Sequence, residues 1–210
     1  RNESISFPSF RFPKCLAPIN FYENIPLLGY ILLRRRRRSC GTSISFQQPA
    51  VELLTGLMFI TFFLFRGPNL IFIHDILLGS FLIAVFFIDL RHMIIPNRLN
   101  LVGGIAGCMF AITHGTTGIL LASSGAAAGM LILGGMALLG RLLFHRESIG
   151  AGDFKLVMVI GLFLGPLGNC IALALAVISG GTWGIFHLTF NKSAGKQEVP
   201  FGPFIAVGCW

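Results

Sequence analysis

The chain has 210 residues, with 16 basic against 8 acidic side chains and a net charge of +8; 54% of it is hydrophobic and only 11% charged. Soluble domains carry about 25% charged residues, so this composition, with a mean hydropathy of +0.80, excludes an ordinary soluble enzyme and reads as a polytopic membrane protein. The positive charge does not describe a nucleic-acid surface either: Arg34 to Arg38 form one run and the other basic residues are spread over short turns, as in cytoplasmic membrane loops.

Spans of about 17 to 25 apolar residues divide the chain in order. Residues 1–48 are polar, basic and rich in turn formers, so they are expected outside the bilayer as a cytoplasmic segment. Residues 49–210 are expected to form one membrane-embedded domain, with no second soluble domain and no internal repeat. The predicted spans are 49–66, 69–90, 98–114 and 117–143, the last rich in Gly and Ala for close helix packing. A short glycine-punctuated segment follows at 154–165, then a span at 168–189 and an apolar run from 202. The chain starts at Arg1 without a methionine or signal peptide and stops at Trp210 inside PFIAVGCW. A spanning helix before Arg1 and the remainder of one after Pro203 are therefore expected to be missing. The expected fold is an all-α, polytopic helical bundle with a small N-terminal cytoplasmic segment.

Orientation follows from the basic residues. With residues 1–48 in the cytoplasm and the spans threaded alternately, the inside turns hold Arg91, Arg98, Arg141, Arg146, Lys155, Lys192 and Lys196, and the outside turns hold Arg66 and His114. That asymmetry obeys the positive-inside rule. It places Asp89, at the end of FLIAVFFID, and Asp153, at the end of GAGD, on the same cytoplasmic border. The third aspartate, Asp75, falls near the outer half of the second span and is expected to face headgroups or a polar partner.

An ionisable group near a bilayer core costs a few kcal/mol or more, so a chain poor in acids that keeps two at one border points to their use. Two carboxyls held a few ångströms apart in a poorly solvated site share one proton. The ionised partner can draw a proton from water while the protonated one polarises a scissile carbonyl, which is peptide hydrolysis without a metal or a covalent intermediate. The glycines of GAGD, Gly150 and Gly152, would let backbone approach closely and take positive φ. A plainer reading stands beside this one: an aspartate before FKLV is a good helix N-cap.

These residues resemble the prepilin peptidases, or type IV leader peptidases, among the GxGD aspartic proteases. The resemblance rests on IDLRHMIIPN, with Asp89, Ile95 and Pro96, and on GAGDFKL, with Gly150, Gly152, Asp153, Lys155 and Leu156. It extends to NFYENIPLLGYILLR (Asn20 to Arg34), SISFQQPAVELLTG (Ser43 to Gly56) and PFGPF (Pro200 to Phe204), in the family's order. It implies that Asp89 and Asp153 are the catalytic pair of an enzyme in the bacterial inner membrane. Its substrates would be type IV prepilins or pseudopilins, cut on the cytoplasmic side after a leader glycine. It also implies methylation of the new N-terminus from S-adenosylmethionine, if that activity is retained.

One departure concerns the cytoplasmic segment. Family members commonly carry two CxxC pairs there, a spacing that suits zinc; here the positions read Phe12-Pro-Lys-Cys15 and Arg37-Arg-Ser-Cys40. Cys15 and Cys40 are remnants, so a zinc site is not expected, and the methyltransferase activity is placed in more doubt than the proteolysis. Cys108, Cys170 and Cys209 are expected as small packing residues. The histidines His74, His92, His114, His145 and His187 show no metal-ligand spacing, and His92 and His145 are expected in solvated turns. Glu52 is expected near the start of the first span, either as a helix-start acid or at the mouth of the site. The Arg34–Arg38 run suits anionic lipid. Two other classes remain open: an ion- or proton-coupled transporter, against which the acids lie at a border rather than the midplane, and a scaffold that binds prepilins without cutting them.

Overall fold

The structure is a computed structural model and describes residues 46–144, 150–190 and 201–209. The described residues are helical, without a strand among them. Six helices follow in order: α1 Gln47–Arg66, α2 Leu70–His92, α3 Asn97–Thr113, α4 Gly115–Phe144, α5 Ala151–Phe190 and α6 Gly202–Gly208. The chain divides into two compact units, Arg1–Ile60 and Thr61–Trp210. In the first, the described residues are Phe46 and most of α1, whose Pro49 sits in the first turn, where a missing N–H is tolerated.

In the second unit the helix ends are set by local chemistry. Gly67 takes φ 66, and the Asn69 side chain caps α2 by accepting the Phe72 N–H at 2.8 Å. Met93 ends α2 in the left-handed region at φ 52, its N–H bonded to the Asp89 carbonyl at 2.8 Å. Pro96, extended at φ −62 and ψ 130, then starts α3.

The long final helix is two helices. At Gly165 the backbone leaves helical geometry (φ 69, ψ −175) and Pro166 follows, so the ladder breaks. The amide of Asn169 donates to the carbonyl of Val157 at 3.2 Å. In a straight helix those residues would stand about 18 Å apart at 1.5 Å per residue, so the chain folds back on itself. Its two arms, residues 151–164 and 166–190, correspond to the segments expected at 154–165 and 168–189. Asn169 also donates to the Gly125 carbonyl of α4 at 2.9 Å. Gly125 and Gly161 meet where a Cβ on either would run into the other's backbone, which is how glycine lets membrane helices approach.

The core joins α2 (Leu82, Val85), α4 (Leu133), both arms of α5 (Leu156, Val157, Ile160; Leu173, Ala176) and α6 (Ile205, Ala206). The outward side chains are apolar as well, among them Val102, Leu120, Leu131, Leu142 and Ile185. An outer surface of that kind belongs in lipid rather than water. Among the described residues, four helices, α1, α2, α4 and α5, are long and apolar enough to cross a membrane. The protein is an integral membrane protein. The segment predicted as a span at 98–114 is helical as α3, but with 17 residues, about 25 Å, it is not among those four.

Candidate functional site

The two aspartates arise from opposite kinds of helix end. Asp89 lies in the last turn of α2 and is 5% exposed. Its Oδ2 accepts the backbone N–H of Gly202 at 3.0 Å, a contact between residues 113 apart in sequence. Gly202 opens α6, and a Cβ there would stand 2.6 Å from Asp89 Oδ2 and 3.1 Å from its Cγ. A side chain at position 202 therefore cannot coexist with this carboxyl position.

Asp153 is half-buried in the first turn of α5. Its Oδ2 accepts the Gly150 N–H at 3.1 Å, while its own N–H donates to the Gly150 carbonyl at 3.1 Å. Gly150 is thus the cap, and Asp153 reaches back to it as the third residue of a capping box does. This corrects the plainer reading of Asp153 as the cap itself. It leaves one carboxylate oxygen bound to backbone and the other outside that bond.

The GAGD glycines act differently from expectation. Positive φ occurs at Gly67, Gly115 and Gly165, and at neither Gly150 nor Gly152. A Cβ at Gly152 would meet Ile95 Cβ at 3.4 Å, an ordinary contact. Gly152 lies against the buried Ile95 of the IIPN turn, so the two motif loops are neighbours. Lys155 Nζ donates to Asn97 Oδ1 at 2.7 Å, joining the residue after Pro96 to the start of α5. The C-terminus of α2 and the N-termini of α3, α5 and α6 thereby converge at one end of the unit.

The opposite end carries a second polar group. His74 Nδ1 lies 3.0 Å from Asp75 Oδ1, and Asp75 Oδ2 lies 3.4 Å from Arg66 Nε. Asp75 thus has the polar partner expected of it. A cavity of about 620 Å³ lies beside them and is lined also by His114, Thr117 and the hairpin tip at Gly165 and Pro166. An apolar groove of about 570 Å³ runs between α3 and the first arm of α5, past Leu101, Ile105, Met109, Met158 and Leu162.

Other candidates fall elsewhere. Glu52 is half-buried on α1 in the first unit, and His92 is exposed at the end of α2. Cys108, expected as a packing residue, is exposed on α3, so its thiol faces the apolar exterior instead. Cys15, Cys40, the Arg34–Arg38 run and His145 lie outside the described residues. Gly202 was missed as a site residue; its signal was the PFGPF stretch, but nothing local announces that its N–H meets Asp89.

Comparison with known proteins gives the family of the chain. The family described as "Type IV leader peptidase family" matches residues 76–185, and the "Bacterial Peptidase A24 N-terminal domain" matches residues 1–65. A protein of Aeromonas salmonicida named prepilin leader peptidase/N-methyltransferase is 35% identical over 198 residues, covering 94% of this chain and 68% of its own. Proteins of the same name from Myxococcus xanthus and Neisseria gonorrhoeae are 38% and 31% identical, over 96% and 100% of this chain and 62% and 72% of their own. No solved structure matches. Matched by the family over more than half its length, and by a relative above 30% identity that it spans by two thirds, this chain belongs to the type IV leader peptidase family.

Proposed function

We propose that this protein is a membrane-embedded aspartic endopeptidase that removes the leader from type IV prepilins or pseudopilins, with Asp89 and Asp153 as its catalytic pair. The observation that carries the reading is the convergence of the two acids at one end of the bundle, each with Oδ2 on a backbone N–H. Each carboxyl is held in direction and keeps its other oxygen outside that backbone bond. As a dyad sharing one proton, the pair delivers both functions of hydrolysis. The ionised carboxylate takes a proton from water as its oxygen attacks the scissile carbonyl. The protonated partner donates to that carbonyl to give a gem-diol. The C–N bond then breaks as the first aspartate passes the water's proton to the leaving nitrogen and a diol hydroxyl returns a proton to the second, giving an acid and an amine. Water is the co-reactant and no covalent intermediate forms. Lys155, Pro96, Gly150 and Gly152 hold the loops that set the pair.

The active end faces the cytoplasm of the bacterial inner membrane on this reading. Arg91, Arg98 and Lys155 stand at the acids' end, and Arg66 stands at the other, the distribution the positive-inside rule describes. A border position for both acids also favours a peptidase over a transporter, whose sites sit near the midplane.

The relatives' names add methyl transfer, which would draw on S-adenosylmethionine to methylate the new N-terminus. Of the two described cavities, the groove beside Lys155 is lined mainly by apolar side chains with Asn97 and Asn100 at its edge, and the more polar one lies at the far end. No step of methyl transfer is assigned to these residues.

The test incubates a prepilin-like substrate with the protein in membranes, alongside Asp89→Asn and Asp153→Asn. Mass spectrometry reads cleavage after the leader glycine and, with S-adenosylmethionine present, any added methyl group. Both variants are expected to bind substrate and leave it uncut; cleavage by either would end the aspartic mechanism.

A further inference from the structure

The two catalytic candidates stand on separate elements, Asp89 on α2 and Asp153 on the first arm of α5. Those elements meet again at the other end. His74 Nε2 lies 3.3 Å from the carbonyl oxygen of Phe163, 89 residues away in sequence. A carbonyl only accepts, so this bond needs the proton on Nε2, and it forms together with the Nδ1 contact to the Asp75 carboxylate only when the ring carries both protons. Phe163 lies near the end of the arm whose first turn holds Asp153, two residues before the break at Gly165. His74 Nδ1 faces Asp75 Oδ1 at 3.0 Å, and Asp75 Oδ2 faces Arg66. The chain of contacts therefore runs from α1 through α2 to the tip of the hairpin. The imidazole ring sits between two phenyl rings, with centroids 4.4 Å from Phe110 and 5.3 Å from Phe163, and its side chain is 13% exposed. In such an apolar setting a hydrogen bond is electrostatically stronger than in water.

We propose that His74 is a positioning residue of this peptidase: by bonding the Phe163 carbonyl it fixes the axial position of the first α5 arm against α2, and so the placement of Asp153 relative to Asp89. This rests on the aspartic reading given above. A helix is stiff along its axis. From Phe163 back to Asp153 is about 15 Å of continuous helix, and from His74 to Asp89 about 22 Å, so a slide at one end arrives almost undiminished at the other. A misplacement of about 1 Å at a reacting group costs on the order of a hundredfold in rate. At the acids' end, Lys155 holds the arm to α3, and α2 is held to α6 by Gly202. The His74–Phe163 contact is a direct hydrogen bond between the two acid-bearing elements, at the end away from the acids.

The test compares His74→Phe, which keeps the ring packing and removes the donor, with His74→Gln, which keeps an N–H at about the reach of Nε2. Cleavage by His74→Phe is expected to lose roughly ten- to a hundredfold in kcat with KM unchanged, and His74→Gln is expected to recover most of it. A second measurement does not depend on activity. Spin labels at Leu90 and Ala151, exposed residues beside the two acids, report the spacing of the elements. The distance distribution should broaden or shift in His74→Phe and match the parent in His74→Gln. Parent-like kcat and spacing in His74→Phe would overturn the proposal, as would a Gln variant as impaired as Phe. If the parent itself cuts no substrate, the aspartic reading fails while the spin-label comparison still decides the positioning.

Discussion

Gly202→Ala tests the site with a single methyl group. The added Cβ would stand 2.6 Å from Asp89 Oδ2, and ordinary contact begins at 3.4 Å, so the carboxyl and the α6 N-terminus must part by about 0.8 Å. The N–H···O distance of 3.0 Å then opens to about 3.8 Å, beyond a hydrogen bond. A hydrogen bond to a charged group contributes about 1.5–3 kcal/mol, and each 1.4 kcal/mol is about tenfold in rate. Cleavage should therefore fall on the order of ten- to a hundredfold, chiefly in kcat. The assay is initial-rate cleavage in membranes at equal amounts of folded protein. Gly181→Ala serves as the control, since a Cβ there meets nothing within 4 Å. If Gly202→Ala cuts at the parental rate, Gly202 does not hold a working Asp89 and the geometry assigned to the pair is wrong.

Lys155→Met removes an exposed bond to Asn97 and should lower cleavage less than tenfold, because exposed charged contacts contribute only about 1 kcal/mol or less. Complete loss of activity would instead place Lys155 in contact with substrate. Asn169→Leu removes two buried hydrogen bonds to α4 and to the first arm. Each interhelical bond in a membrane contributes about 0.6 kcal/mol on average and up to about 1.7, so roughly 1–3 kcal/mol of stability should go, read as a lower thermal midpoint in detergent. An unchanged midpoint would mean the hairpin closes without them.

Much of this protein was legible along the chain. Hydropathy alone placed the membrane helices to within a few residues, because a span needs a continuous apolar run and its ends are marked by Gly, Pro and basic side chains. The two acids stood out for the same reason: charge is expensive near lipid. The chain pattern also separated the segments on either side of Gly165 and Pro166. It did not say that they fold into a hairpin, since a break in helical geometry has no direction until Asn169 finds Val157 and Gly125.

The tertiary structure decided the rest. That Gly150 caps α5 while Asp153 reaches back to it depends on φ/ψ values that the letters GAGD leave open. That the Gly202 N–H meets Asp89, and that His74 meets Phe163, depends on contacts 113 and 89 residues apart in sequence. Local pattern carries periodicity, hydropathy and helix-end signals, all of which act within a few residues. The distances that orient a carboxyl are fixed by how helices pack, and packing is a property of the whole bundle.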